Sequence, residues 1–166
     1  SIVIPSTFTV SGTTYTVKEI GTNAFQDTLI TSVTIPASVT SIGENAFQRT
    51  LITSVTIPAS VTSIGTAAFD RCSSLTSLTF DDIQNSVLAT IRDSAFQLAP
   101  INTSIAIPAS VITIGDYAFN QCTQIPSITF AANSLLETIG DYAFTATAIT
   151  SIIIPASVIS IGRSAF

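Results

Sequence analysis

Two cysteines, ten carboxylates and three tyrosines are the side chains of this sequence best suited to chemistry, and there is no histidine among them. Without histidine, Ser-His-Asp and Cys-His nucleophilic catalysis fall away, and most zinc sites with them. Glycine-rich phosphate loops are absent as well. The one adjacent carboxylate pair, Asp81-Asp82, offers the hard oxygen ligands that Ca2+ takes. Two carboxylates without a wider ligand pattern read more simply as a solvated turn. A second acidic set, Asp93, Asp116 and Asp141, recurs at one position of a repeated phrase, with Tyr117 and Tyr142 beside its last two members. Stacked tyrosine faces flanked by acceptors could hold a sugar. No catalytic constellation, metal site or cofactor is expected from these residues, and enzymatic activity ranks below binding and structural roles.

The elements that must position these residues are set by repetition. The phrase Ile42-Gly43-Glu44-Asn45-Ala46-Phe47 recurs with only its middle two positions free, ending at Phe25, Phe47, Phe69, Phe96, Phe119, Phe144 and Phe166. The copies lie 22, 22, 27, 23, 25 and 22 residues apart, a period that implies a stacked solenoid. Ahead of each copy runs a phrase such as Val39-x-x-Ile42 or Leu88-x-x-Ile91, which predicts a second short strand or turn. Before that comes Ile30-x-x-Val33-x-Ile35-Pro36 or its equivalent, whose alternating β-branched residues predict a strand closed by proline. Equivalent residues of neighbouring coils should lie ~4.8 Å apart. The phenylalanines then form one ladder in the core, with the preceding alanines keeping space for them. Glycine after the isoleucine suggests a backbone angle that other residues resist, so Arg92, the one exception, predicts an altered turn. Around Pro100 a one-residue bulge should turn Ile101 inward and Asn102 outward. Residues 1–18 differ: Phe8, Val10, Tyr15 and Val17 alternate about Ser11-Gly12, a hairpin signal, read as an N-terminal cap on residues 19–166.

Composition narrows the partners. The chain has 166 residues, 46% of them hydrophobic and only 9% charged, with a net charge of −5. Lys18, Arg49, Arg71, Arg92 and Arg163 are scattered singly, which argues against a nucleic-acid surface. Apolar runs of three or four residues are too short for membrane insertion as a helix. No signal peptide is visible. A start at Ser1 and a stop on the last letter of the motif read as a piece of a longer protein.

Two coils carry extra residues where others have Pro-Ala-Ser: Asp81, Asp82, Gln84 and Asn85 after Phe80, and Asn133 and Ser134 after Phe130. Solenoid insertions often mark a binding face, so these two loops should project from one side. If Ile30, Val33 and Ile35 point inward, Ser32 and Thr34 and their equivalents point outward, lining the sheet with small hydroxyls. Such a face lacks the Tyr, Trp and Arg anchors of strong interfaces. Cys72 and Cys122 sit two coils apart, ~10 Å by strand spacing, whereas a disulfide needs Cα atoms within ~7 Å. Only Arg71 could activate either thiol, so both are expected to be free and unreactive.

Together the phrases Leu-x-x-Ile-x-Ile-Pro, Val-x-x-Ile-Gly and Ala-Phe-x-x-Cys strongly resemble the BspA-like leucine-rich repeats of bacterial surface proteins and some protozoan parasites. The likeness spans residues 19–166, and Tyr15-x-Val17-x-x-Ile20-Gly21 is similar to the entry segment of such arrays. It implies a β-rich α/β solenoid of about seven right-handed coils with a strand-lined concave face. It also implies an extracellular or cell-surface location and adhesion to a protein or glycan on host matrix or other cells. Cys72 and Cys122 match the buried cysteine slot of the family, and Asp-Tyr is a common filling of the positions held by Asp116-Tyr117 and Asp141-Tyr142, which favours a structural role for both pairs. The alternative is a rigid spacer or fibre-forming segment that associates end to end.

Overall fold

The second apolar phrase makes the most regular part of the molecule, which a computed structural model describes over residues 1–166. In every copy a polar residue and an isoleucine form a two-residue strand: β4 (Glu19–Ile20), β6 (Ser41–Ile42), β8 (Ser63–Ile64), β10 (Thr90–Ile91), β12 (Thr113–Ile114), β14 (Thr138–Ile139) and β15 (Ser160–Ile161). These strands lie in chain order in one parallel seven-stranded sheet. The isoleucines align directly, Ile20 with Ile42 and Ile42 with Ile64. The seven copies bound six complete turns of a β-solenoid, one fewer than the seven coils expected.

The first phrase forms strands of two to four residues, which do not join into one sheet. Here β1 (Ile2–Val3) pairs with β5 (Val33–Thr34), β7 (Ser54–Ile57) with β9 (Ser77–Phe80), and β11 (Ile105–Ile107) with β13 (Ile128–Phe130), all in parallel. Proline accounts for the two inner pairs but not for the first, since β5 pairs with β1 although Pro36 follows it. In the two long coils the residue after the strand keeps its N–H: Asp81 donates to the Ile57 carbonyl at 2.9 Å, and Ala131 to that of Ile107 at 3.0 Å. Elsewhere that place is held by Pro36, Pro58, Pro108 or Pro155, which have no proton to give. The sheet therefore closes between β7 and β9 and between β11 and β13. It opens between β5 and β7, between β9 and β11, and beyond β13.

The third leg carries the repeated motif and contains no helix, which corrects the α/β expectation to an all-β solenoid. Its backbone turns left-handed at two residues four apart in each coil. Asn23, Asn45, Ala67, Ser94, Tyr117, Tyr142 and Ser164 have φ between 48° and 58°, and so, at 55° to 60°, do Asp27, Arg49, Arg71, Leu98, Gln121 and Ala146. Alternate N–H groups accordingly bond in different directions. Gln48 and Thr50 donate to carbonyls three residues back, at 3.1 and 3.2 Å, whereas Asn45, Phe47 and Arg49 donate to Thr66, Ala68 and Asp70 of the next coil. A helix would need every N–H to stay within the leg. This ladder sends every second one to its neighbour.

Inside, the phenylalanine ladder is as expected. Ring centroids are 5.1 to 5.5 Å apart from Phe25 to Phe166, and Phe47, Phe69, Phe96 and Phe119 are fully buried. The glycine of the motif has a different reason from the one expected: none of the motif glycines has a left-handed φ. A Cβ on Gly65 would stand 2.5 Å from the Gly43 carbonyl carbon, and one on Gly140 2.5 Å from the Asp116 nitrogen. The coils approach too closely there for a side chain. At Arg92 the predicted altered turn is absent. Its N–H still reaches Ile64, Ala95 still donates to its carbonyl, and the only sign of the larger residue is a bond of 3.0 Å where the glycines make 2.7 or 2.8 Å.

Near Pro100 the expected bulge holds: Ile101 is buried and Asn102 exposed. At the N-terminus the hairpin is also present, β2 (Thr7–Val10) against β3 (Thr13–Thr16), with Ser11 and Gly12 both at positive φ as a tight hairpin turn requires. All eight strand residues are exposed. The hairpin does not bury a face on the core, and the cap role assigned to it is not supported. Instead β1 lies beside β5 in register, extending the strand-lined leg by one position.

Candidate functional site

The side chains singled out by sequence fall at three separate places. Asp81, Asp82, Gln84 and Asn85 lie together on the loop after β9, all exposed. The Asn85 amide nitrogen donates to both Asp82 carboxylate oxygens, at 3.1 and 3.0 Å. No third His, Cys, Asp or Glu joins Asp81 and Asp82 in a metal-binding group. Of the two, Asp82 closes the turn through these bonds to Asn85.

Asp116, Tyr117, Asp141 and Tyr142 stand on the turn leg. The Asp93 carboxylate accepts the backbone N–H of Asp116 at 3.0 Å, Asp116 accepts that of Asp141 at 2.7 Å, and Asp141 accepts that of Arg163 at 2.6 Å. Each aspartate thus satisfies a donor of the next coil, and the glycine before that donor makes room for it: a Cβ on Gly115 would meet Asp93 Oδ1 at 2.3 Å. The tyrosine rings stack with centroids 5.0 Å apart, each using one face on the other, while the aspartates beside them bond the backbone of the next coil.

Asn133 and Ser134 are the exception, because they rim a groove. Beyond β13 the chain from Thr150 to Pro155 runs unpaired, since Pro155 cannot donate. The gap between the two legs is a cavity of about 690 Å³, walled by Ile128, Phe130, Ile152 and Ile153 and edged by Asn133 and Ser134. Ile153 is 91% exposed, a large apolar side chain where earlier coils present Thr34, Thr56, Thr79, Ala106 and Thr129. Sequence reasoning placed Asn133 and Ser134 but missed the walls. The available signal was Ile153 replacing threonine next to a proline. Where the sheet is closed its outer face carries the expected hydroxyl ladder, with Thr56 and Thr79 Oγ1 3.0 Å apart and Ser127 donating to Ser104 at 2.7 Å.

The cysteines are free and buried. Cys72 Sγ donates to the Phe47 carbonyl at 3.1 Å, and Cys122 Sγ to that of Phe96 at 3.0 Å. Each thiol caps the preceding coil. Burial pushes them up to about 11 and about 12 respectively, so neither forms thiolate near neutral pH. We expect under a tenth of either thiol to react with a soluble maleimide in an hour on the native protein, and both to react fully in denaturant. Rapid labelling of the native fold, read by intact mass, would show that these coils open.

No helix is long and apolar enough to cross a membrane. The family model of the BspA-type leucine-rich repeat region matches in six copies over residues 6–102 and 89–166. A sequence search among curated proteins gives no match. Among solved structures, a leucine-rich cell surface protein from Faecalibacterium prausnitzii A2-165 is 35% identical with a TM-score of 0.81, covering 99% of this chain and 44% of its own. The Treponema pallidum leucine-rich repeat protein is 26% identical with a TM-score of 0.80, over 97% of this chain and 72% of its own. The pneumococcal vaccine antigen PcpA is 26% identical with a TM-score of 0.65, over 99% of this chain and 36% of its own. The chain therefore spans less than half of the first of these proteins.

Proposed function

The chain belongs to the BspA-type leucine-rich repeat family, and from that premise we propose that it is a non-catalytic, extracellular interaction module of a surface protein, serving adhesion to host matrix or other cells. The observation that carries this reading is the groove beyond β13. It combines an exposed isoleucine, apolar walls and a polar rim of Asn133 and Ser134, the pattern of a ligand site with a few orienting polar groups. An extended peptide suits the groove, because one edge is the strand β13, which has a pairing partner on one side only. The hydroxyl ladder beside it supplies polar contacts without anchors, so affinity rests on the groove.

The test is retention on immobilised matrix proteins. Ile153→Asp, at a position too exposed to disturb the core, should weaken retention tenfold or more. Asp82→Ala, on the other loop, should leave it unchanged. Equal retention of the Ile153 variant and the parent would remove the groove from the reading, and no retention of the parent would remove adhesion itself. The spacer reading has its own support in the unbroken ladder from coil to coil. Scattering that lengthens with protein concentration would favour it.

A further inference from the structure

One buried carboxylate is explained neither by the groove nor by the repeat. Asp70 follows Phe69 in the slot filled in other coils by Gln26, Gln48, Gln97 and Asn120, and these side chains form a polar column along the solenoid. The column has a direction. Gln26 Nε2 donates to Gln48 Oε1 at 2.6 Å, Gln48 Nε2 donates to Asp70 Oδ2 at 2.9 Å, and Gln97 Nε2 donates to Asn120 Oδ1 at 3.2 Å. Each amide nitrogen points to the following coil. The oxygen and nitrogen of a planar amide diverge, so with its Nε2 engaged by Asn120 the carbonyl oxygen of Gln97 is left free for the Asp70 coil.

At that junction the column fails if Asp70 is ionised, because a carboxylate can only accept. Asp70 Oδ1 is buried without a hydrogen-bond partner, and the whole side chain is 9% exposed. We propose that Asp70 is held as a neutral carboxylic acid in the folded solenoid, giving its proton through Oδ1 to Gln97 Oε1, and so acts as a proton-operated latch between the Phe69 and Phe96 coils. A protonated aspartate has the donor and acceptor pattern of the amides it replaces. It would complete the column from Gln26 to Asn120 with one polarity.

The charges acting on Asp70 are few. Arg71 Nε lies 3.8 Å from Oδ2 with its side chain half exposed, and Arg49 of the preceding coil is paired with Asp27 at 3.5 Å. Burial raises the Asp70 carboxyl above its ordinary value, outweighing the Gln48 hydrogen bond and then the two arginines. The sign of the linkage follows. A carboxyl raised in the folded state contributes stability that is complete below its unfolded value of about 3.9 and is lost as the pH climbs through the folded value.

Two measurements test the latch. Asp70→Asn builds the acid's pattern permanently. It should melt about 2–8 °C above the parent at pH 7 and level with it at pH 3.5. Independently, the Asp70 carboxyl 13C resonance of the unaltered protein, assigned as the one missing from the variant, should keep the chemical shift of the protonated acid at pH 7. A carboxylate shift at pH 7 would mean that Gln97 donates to an ionised Asp70, and the proposal would be wrong. A variant no more stable than the parent at pH 7 would overturn it equally.

Discussion

Phe69→Ala will destabilise the solenoid by about 3–5 kcal/mol, as would truncation of the equally buried Phe47, Phe96 or Phe119. The ring is fully buried and lies between Phe47 and Phe96, with centroids 5.1 and 5.2 Å away. Its neighbours cannot fill the vacancy, since both are held by the same inter-coil N–H bonds that hold Phe69. In a repeat array each coil contacts only the next, so the cavity weakens both junctions of one coil. Phe166→Ala removes a ring that is half exposed, and should cost less than half as much. Denaturant unfolding followed by circular dichroism will compare them, and equal midpoints for Phe69→Ala and the parent would show that the rings are not what joins the coils.

The second large effect concerns a hydrogen atom. Gly65→Ala should cost at least about 1–3 kcal/mol, because its Cβ would lie 2.5 Å from the Gly43 carbonyl carbon and 2.7 Å from the Glu44 nitrogen. Those are backbone atoms, which cannot swing aside as a side chain could. Gly21→Ala is the control. Nothing stands within 4 Å of that Cβ, so the change should stay within about 0.5 kcal/mol. Similar losses for the two substitutions would assign the glycines to backbone freedom after all. Arg92 indicates how much the stack can yield, since its bond to Ile64 is only slightly long.

The contrast between Gly65 and Arg92 also shows what could be read from sequence. Period, phenylalanine ladder, inward isoleucines and the shift at Ile101 were legible because each follows from alternation along one strand and register between strands. The absent helix was not. Its replacement rests on Asn45 and Arg49 taking positive φ on either side of Phe47, and the residue types allowed there, Tyr117 and Leu98 among them, are not those that advertise a left-handed backbone. For the candidate site, Asn133 and Ser134 were visible as an insertion. The groove they rim was not, because it arises from a hydrogen bond that Pro155 fails to make with a strand one coil away. A strand-closing proline is a local signal, whereas a missing bond to the neighbour is a property of two coils together.

The same distribution of bonds sets how the molecule bears load. On the turn leg, links such as Phe47 to Ala68 and Phe69 to Ala95 run from coil to coil along the stacking direction, so tension between the two ends of the stack falls on them in series. Such a structure yields by peeling, one coil before the next. A 22-residue coil once released supplies roughly 75 Å of slack, enough to relax a tether before the neighbouring coil is strained. A chain pulled at both ends would lengthen by steps instead of giving way at once.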